Sequence, residues 1–195
     1  LCNFGRGPEE CIPGPWIRTN DFPRIAVDPK SGNLFATWQD YRNGEFDIQL
    51  ALSTNGGSTW AQSATVNPDT GLDHYFPAVA VGNGADEKDS NRVGVSYYRS
   101  GRVPNENTTP SQGFSPGMPG VQEENSDYVL AGGNFLNTPF PFKVVSPVFP
   151  PPDGIQAGFN GDYSGLVINH GVEAHPLWSD TRNSDPFSPL DRKST

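Results

Sequence analysis

Two cysteines, one methionine and three histidines are all that this chain of 195 residues offers in soft or imidazole ligands. No HExxH pattern and no EF-hand loop occurs, so the sequence names no metal and no cofactor is expected. The carboxylates of Asp86-Glu-Lys-Asp89 would hold Ca²⁺ only weakly and read as a solvated charge run. Cations are scarce as well: 13 Lys and Arg stand against 22 Asp and Glu, for a net charge of −9. A phosphate-binding surface needs clustered cations, which excludes nucleic acid as a partner. No run approaches the roughly 18 apolar residues of a membrane span. What the chain has in excess is 22 glycines and 20 prolines, more than a fifth of all residues against about an eighth in ordinary usage. Such a composition excludes a helical bundle. With 34% hydrophobic residues a core is possible, but one rich in turns, and the length fits one domain or a large piece of one.

Cys2 and Cys11 are separated by eight residues inside a stretch holding three prolines and three glycines. A disulfide-clipped loop within residues 1–20 suits an oxidising compartment. Half a metal site would need further ligands, yet His74, His170 and His175 lie far along the chain. Asn107-Thr-Thr is a glycosylation sequon, and the chain opens on Leu1 without a charged and apolar leader, which reads as a processed product or a fragment. Secretion to an extracellular location is the expectation.

Repeats carry the most information. Phe22-Pro-Arg-Ile-Ala-Val27 is echoed 54 residues later by Phe76-Pro-Ala-Val-Ala-Val81, and again, more weakly, by Tyr163-Ser-Gly-Leu-Val-Ile168. Each is followed by a turn and a second apolar run, closing on Trp38-Gln-Asp-Tyr-Arg42, Tyr97-Tyr-Arg99 and Trp178-Ser-Asp-Thr-Arg182. A third strand follows in two copies, Asp47-Ile-Gln-Leu-Ala-Leu52 and Asp127-Tyr-Val-Leu-Ala131. Short strands punctuated by Gly, Asn, Asp and Pro predict meandering antiparallel sheets, and units of about 50 residues predict β-propeller blades. A β-sandwich would share the strand spacing without repeating the order of motifs. The fold class is therefore all-β, with about three four-stranded blades over residues 21–195. A proline-rich insertion at about 100–126 reads as a long loop over one face. Three units fall short of a ring, so the remainder of a longer chain or self-association of copies is expected to complete it.

Ser53-Thr-Asn-Gly-Gly-Ser-Thr-Trp60 follows the third strand of the first unit. This octapeptide resembles the Asp box, or BNR repeat, of sialidase-like β-propellers: Ser53, Gly57, Thr59 and Trp60 match, with Asn55 where that family usually has Asp. Asn accepts the same turn-closing bonds, glycine supplies positive φ, and the Trp packs back over the hairpin. The resemblance spans residues 21–183. It implies a propeller that engages carbohydrate, either as an exo-sialidase-like glycoside hydrolase or as a non-catalytic glycan- or protein-binding or assembly module.

Aligning the three inner strands places Asp21, Tyr75 and Asp162 at equivalent starts, followed by Phe22, Phe76 and Tyr163. Aromatic faces stack on sugar C–H faces and carboxylates accept hydroxyl hydrogen bonds, while a turn-capping role accounts for the same Asp positions. By resemblance, sialidase chemistry uses arginines that clamp a carboxylate, a Tyr nucleophile and an Asp acid/base. That assigns Arg24 to the clamp, Asp162 or Asp21 to the acid, and Tyr75 to the nucleophile, with Tyr163, Phe22 and His74 in contact with substrate. The family's Arg-Ile-Pro motif is absent, since Arg24 is followed by Ile25-Ala26. Arg42, Arg99 and Arg182 are expected to pair structurally with Asp40 or Asp180 of their own repeats.

Overall fold

The computed structural model describes residues 2–3, 8–12, 17–20, 22–82, 92–101, 125–150, 160–169 and 173–182. Asp21, the Asp86–Asp89 run, the Asn107 sequon, His170 and most of the 100–126 insertion lie outside the described residues.

The described chain is all-β, with a single 3-10 turn at Phe135–Asn137. Two short hairpins come first: β1 (Cys2–Asn3) with β2 (Pro8–Glu9), and β3 (Cys11–Ile12) with β4 (Ile17–Arg18). A four-stranded antiparallel meander follows in chain order: β5 (Arg24–Val27), β6 (Leu34–Asp40), β7 (Asp47–Ser53) and β8 (Ala64–Thr65). A second meander repeats the plan with β9 (Leu72–Val81), β10 (Arg92–Gly101), β11 (Ser126–Asn134) and β12 (Phe142–Val144). A third hairpin, β13 (Gly165–Asn169) with β14 (Glu173–Leu177), opens a third unit.

Period-two alternation decides which side chains meet. On β6 it buries Phe35, Thr37 and Gln39. On β10 it turns Val93, Val95 and Tyr97 toward the first meander, where they share a core with Phe35, Ile48, Leu50, Val129 and Phe140. The opposite face of β10 joins a second core, in which Tyr98 and Tyr128 meet Phe46, Tyr75, Phe76 and Phe149. Ile12 and Ile17, both fully buried, belong to that core, so the N-terminal segment packs into the sheets. Cys11 beside them is buried and is not a free thiol. The Cys2 side chain lies outside the described residues.

β9 is the strand that joins the units. It packs against β5, β6 and β7 on one side and against β13 on the other. Its amide at His74 donates to Phe46 O at 2.8 Å, and Asp73 Oδ1 accepts from Phe46 N at 2.9 Å, stitching the two meanders together.

The turn after β7 closes as its composition predicts. Asn55 Oδ1 accepts from Thr59 N at 2.9 Å and from Ser53 Oγ at 3.0 Å, while Asn55 Nδ2 donates to Thr59 Oγ1 at 2.8 Å. Gly56 and Gly57 take φ of 67° and 90°, the left-handed region that glycine occupies without a Cβ clash. Trp60 keeps 41% of its surface exposed, so it is a lid on the turn more than a buried plug.

Candidate functional site

At the start of the inner strands, Asn20, Phe22, Arg24, Phe76, Pro77, Asp162 and Ser164 line one cleft. Arg24 Nη2 donates to the carbonyl oxygen of Asp162 at 3.4 Å, and its guanidinium carbon lies 4.4 Å above the centre of the Tyr163 ring. Tyr163 in turn sits 6.3 Å from the Phe22 ring, tilted by 32°. Both rings are exposed. Asn20 Nδ2 donates to Asp162 Oδ1 at 3.4 Å. Four of the sequence-derived residues, Arg24, Asp162, Phe22 and Tyr163, thus meet across more than 130 residues of chain. Among the described residues, the lining holds one carboxylate, Asp162, and one guanidinium, Arg24.

The wall of the cleft is built on strain. Phe76 has φ of 50°, a left-handed conformation that is costly for a bulky side chain. It sits at a bulge in β9: the register of β9 against β10 slips between Ser96 and Tyr98, so that Phe76 and Pro77 together oppose Tyr97. Pro77 has no N–H to give, which is tolerated because β9 is an edge strand. Side chains from both neighbouring units hold the strained peptide. Phe76 N donates to Gln39 Oε1 of β6 at 3.0 Å, and Phe76 O accepts from Ser164 Oγ at 2.7 Å.

The bulge also corrects the alignment of inner strands. β5 starts at Arg24, leaving Phe22 in coil, whereas β9 starts at Leu72 and carries His74 and Tyr75 inside the ladder. Tyr75 is fully buried and stacks on Tyr98 at 4.9 Å. Its hydroxyl is 2.9 Å from Ser126 Oγ and accepts from Asn160 Nδ2 at 3.5 Å. Burial holds its phenol far above the ordinary range, so it is unsuited to act as a nucleophile at the rim. His74 is fully buried too, with Nδ1 3.1 Å from Phe46 O and Nε2 3.1 Å from Asp69 Oδ1. It touches no open surface and is not a substrate contact.

The arginines sort as the repeats suggest, with one exception. Arg42 closes on Asp40 through its backbone amide (2.9 Å), Nε (2.8 Å) and Nη2, and Arg182 closes on Asp180 in the same way. The second unit has no Asp in that turn. Arg99 instead reaches Asp127 with Nε (3.1 Å) and Nη2 (2.7 Å) and Asp69 with Nη1 (2.9 Å). Burial pushes the Asp69 carboxyl up, but the hydrogen bonds from His74 and Arg99 outweigh it and hold it down at about 2.

Sequence reasoning missed Asn20, Ser164 and Gln39, the supports of the cleft. Ser164 lies within Gly161-Asp-Tyr-Ser-Gly165, where a hydroxyl beside two aligned rim residues was the available signal. Gln39 gave none, because its partner is a backbone amide freed by the bulge. No protein-family model matches the chain, and no curated protein matches it significantly.

Proposed function

We propose that residues 21–195 are blades of a secreted, sialidase-like β-propeller with Cys2 and Cys11 joined as a disulfide, and that the cleft at the rim binds carbohydrate without hydrolysing it. Two meanders in chain order, a third hairpin in the same stack and the Asp-box-like turn support the propeller reading. The observation that carries sugar binding is the exposed Phe22 and Tyr163 pair flanking Arg24 and Asp162. Rings of this kind cover the apolar face of a sugar, while the guanidinium and carboxylate serve its hydroxyls. Binding is favoured over hydrolysis because Tyr75, the nucleophile that the resemblance implies, is enclosed in the core.

A glycan array followed by calorimetric titration tests the reading. Oligosaccharide binding is expected in the weak range, and Phe22→Ala and Tyr163→Ala each weaken it about tenfold, the loss of roughly 1.4 kcal/mol of stacking. Absence of binding to any glycan, or binding indifferent to both substitutions, overturns the sugar reading. Turnover of a fluorogenic sialoside that Asp162→Asn abolishes would replace binding by hydrolysis.

A further inference from the structure

The inner strands repeat not only in sequence but in the direction their side chains face. In the third unit Leu166 and Ile168 point back at the second meander: a Cβ on Gly94 would lie 2.8 Å from Ile168 Cδ1 and 3.5 Å from Leu166 Cδ2. The equivalent residues of the second unit, Val79 and Val81, point back into the core shared with the first meander. In the first unit these positions are Ile25 and Val27, and they are 61% and 54% exposed. At the other end of the stack, the forward face of the third hairpin presents Val167, 59% exposed, and Leu177, 73% exposed. One end offers a backward-facing aliphatic pair, and the other offers an aliphatic surface of the kind that receives such pairs inside the chain.

We propose that each of these ends is covered by a second copy of this chain. Val167 and Leu177 of one copy pack against Ile25 and Val27 of the partner subunit, and the same contact forms reciprocally. Two copies then close a two-fold ring of six stacked sheets, within the four to eight blades that propellers use. The argument for a copy, and against an unrelated partner, is continuity: the junction reproduces a packing that the chain already makes twice, between its first and second units and between its second and third. Each copy carries −9, so closing the ring brings like charges together, and association strengthens with salt. The inference rests on the propeller half of the proposed function and not on sugar binding.

Light scattering coupled to size-exclusion chromatography on the full chain tests it, with Ile25→Glu, Val167→Glu and an equimolar mixture of the two variants. The wild type is expected at twice the chain mass, increasingly so with added salt. Each variant alone runs as a monomer with an unchanged far-ultraviolet circular dichroism spectrum, because both positions are exposed. The mixture regains a two-chain species, since one junction between the different variants stays unaltered. A wild type that is monomeric at high concentration and high salt overturns the proposal. So does a mass that grows without limit, a dimer indifferent to both substitutions, or a mixture that stays monomeric. Glycan titration on the same samples reads independently, so loss of sugar binding with an intact dimer fails only the sugar reading.

Discussion

Replacing Gly94 tests the seating of the third unit on the second. A Cβ there would stand 2.8 Å from Ile168 Cδ1, 3.5 Å from Leu166 Cδ2 and 3.7 Å from Ile168 Cγ1. Carbon pairs settle at about 3.5–4.0 Å, so alanine pushes the Ile168 methyl back by about 0.7–1.2 Å. That methyl is the free end of a side chain and can turn aside, and a strand glycine replaced by alanine recovers about 0.5–1 kcal/mol of chain entropy. Gly94→Ala is therefore expected to be near neutral. Valine adds two branches where no room remains, and Gly94→Val is expected to cost about 1–3 kcal/mol as overpacking. In an Ile168→Ala background the space is vacated, and the valine penalty should fall by about 1–2 kcal/mol as a coupling between neighbours. Urea unfolding followed by tryptophan emission is the assay, because Trp178, just past β14, stacks on Tyr128 at 4.8 Å and 11° and reports the hairpin directly. Equal Gly94→Val penalties in the two backgrounds, within about 0.5 kcal/mol, would refute the stacking of β13 on β10.

Tyr98→Phe should destabilise by about 1–3 kcal/mol, since the Tyr98 hydroxyl accepts from Ser179 N at 2.7 Å and donates to Ser179 O at 3.2 Å; an unchanged urea midpoint would count against this clasp. The Asp69 carboxyl, held at about 2 against an ordinary 3.8, contributes stability that is full above about pH 4 and is lost as the pH falls toward 2. Urea midpoints measured across that window should show a shallow acid limb, partly screened by solvent, that Asp69→Asn flattens. Asn55→Ala removes the acceptor for Thr59 N and Ser53 Oγ and should cost about 1 kcal/mol in thermal melts, while Asn55→Asp keeps both bonds and should stay within about 0.5 kcal/mol.

Strands were legible wherever apolar periodicity and turn residues agreed. The runs beginning near Arg24, Leu34 and Asp47 all form β-strands, and the repeated Trp-x-Asp-x-Arg turn closes on its own Asp in the first and third units. The second unit departed because its turn lacks the Asp, leaving Arg99 to find Asp127 and Asp69, which adjacent sequence does not reveal. The rim was legible for Arg24, Phe22, Asp162 and Tyr163 because these residues sit at equivalent places in two units. It misled at His74 and Tyr75 for one physical reason. A bulge at Phe76 and Pro77 adds a residue to β9 and reverses which face the preceding side chains take, and a one-residue slip leaves no trace in an alignment of apolar positions.

The clamp on Phe76 makes a single amide a gauge of how firmly three units are joined. Hydrogen exchange at a ladder amide reports fraying of its own sheet, but the Phe76 N–H is shielded by a side chain from the preceding unit, with its carbonyl held by a side chain from the following one. Solvent reaches it only when the units part. Its protection relative to the amides of β10 would therefore separate loosening between sheets from unfolding within them, and a ligand seated in the cleft would slow it without touching the ladders.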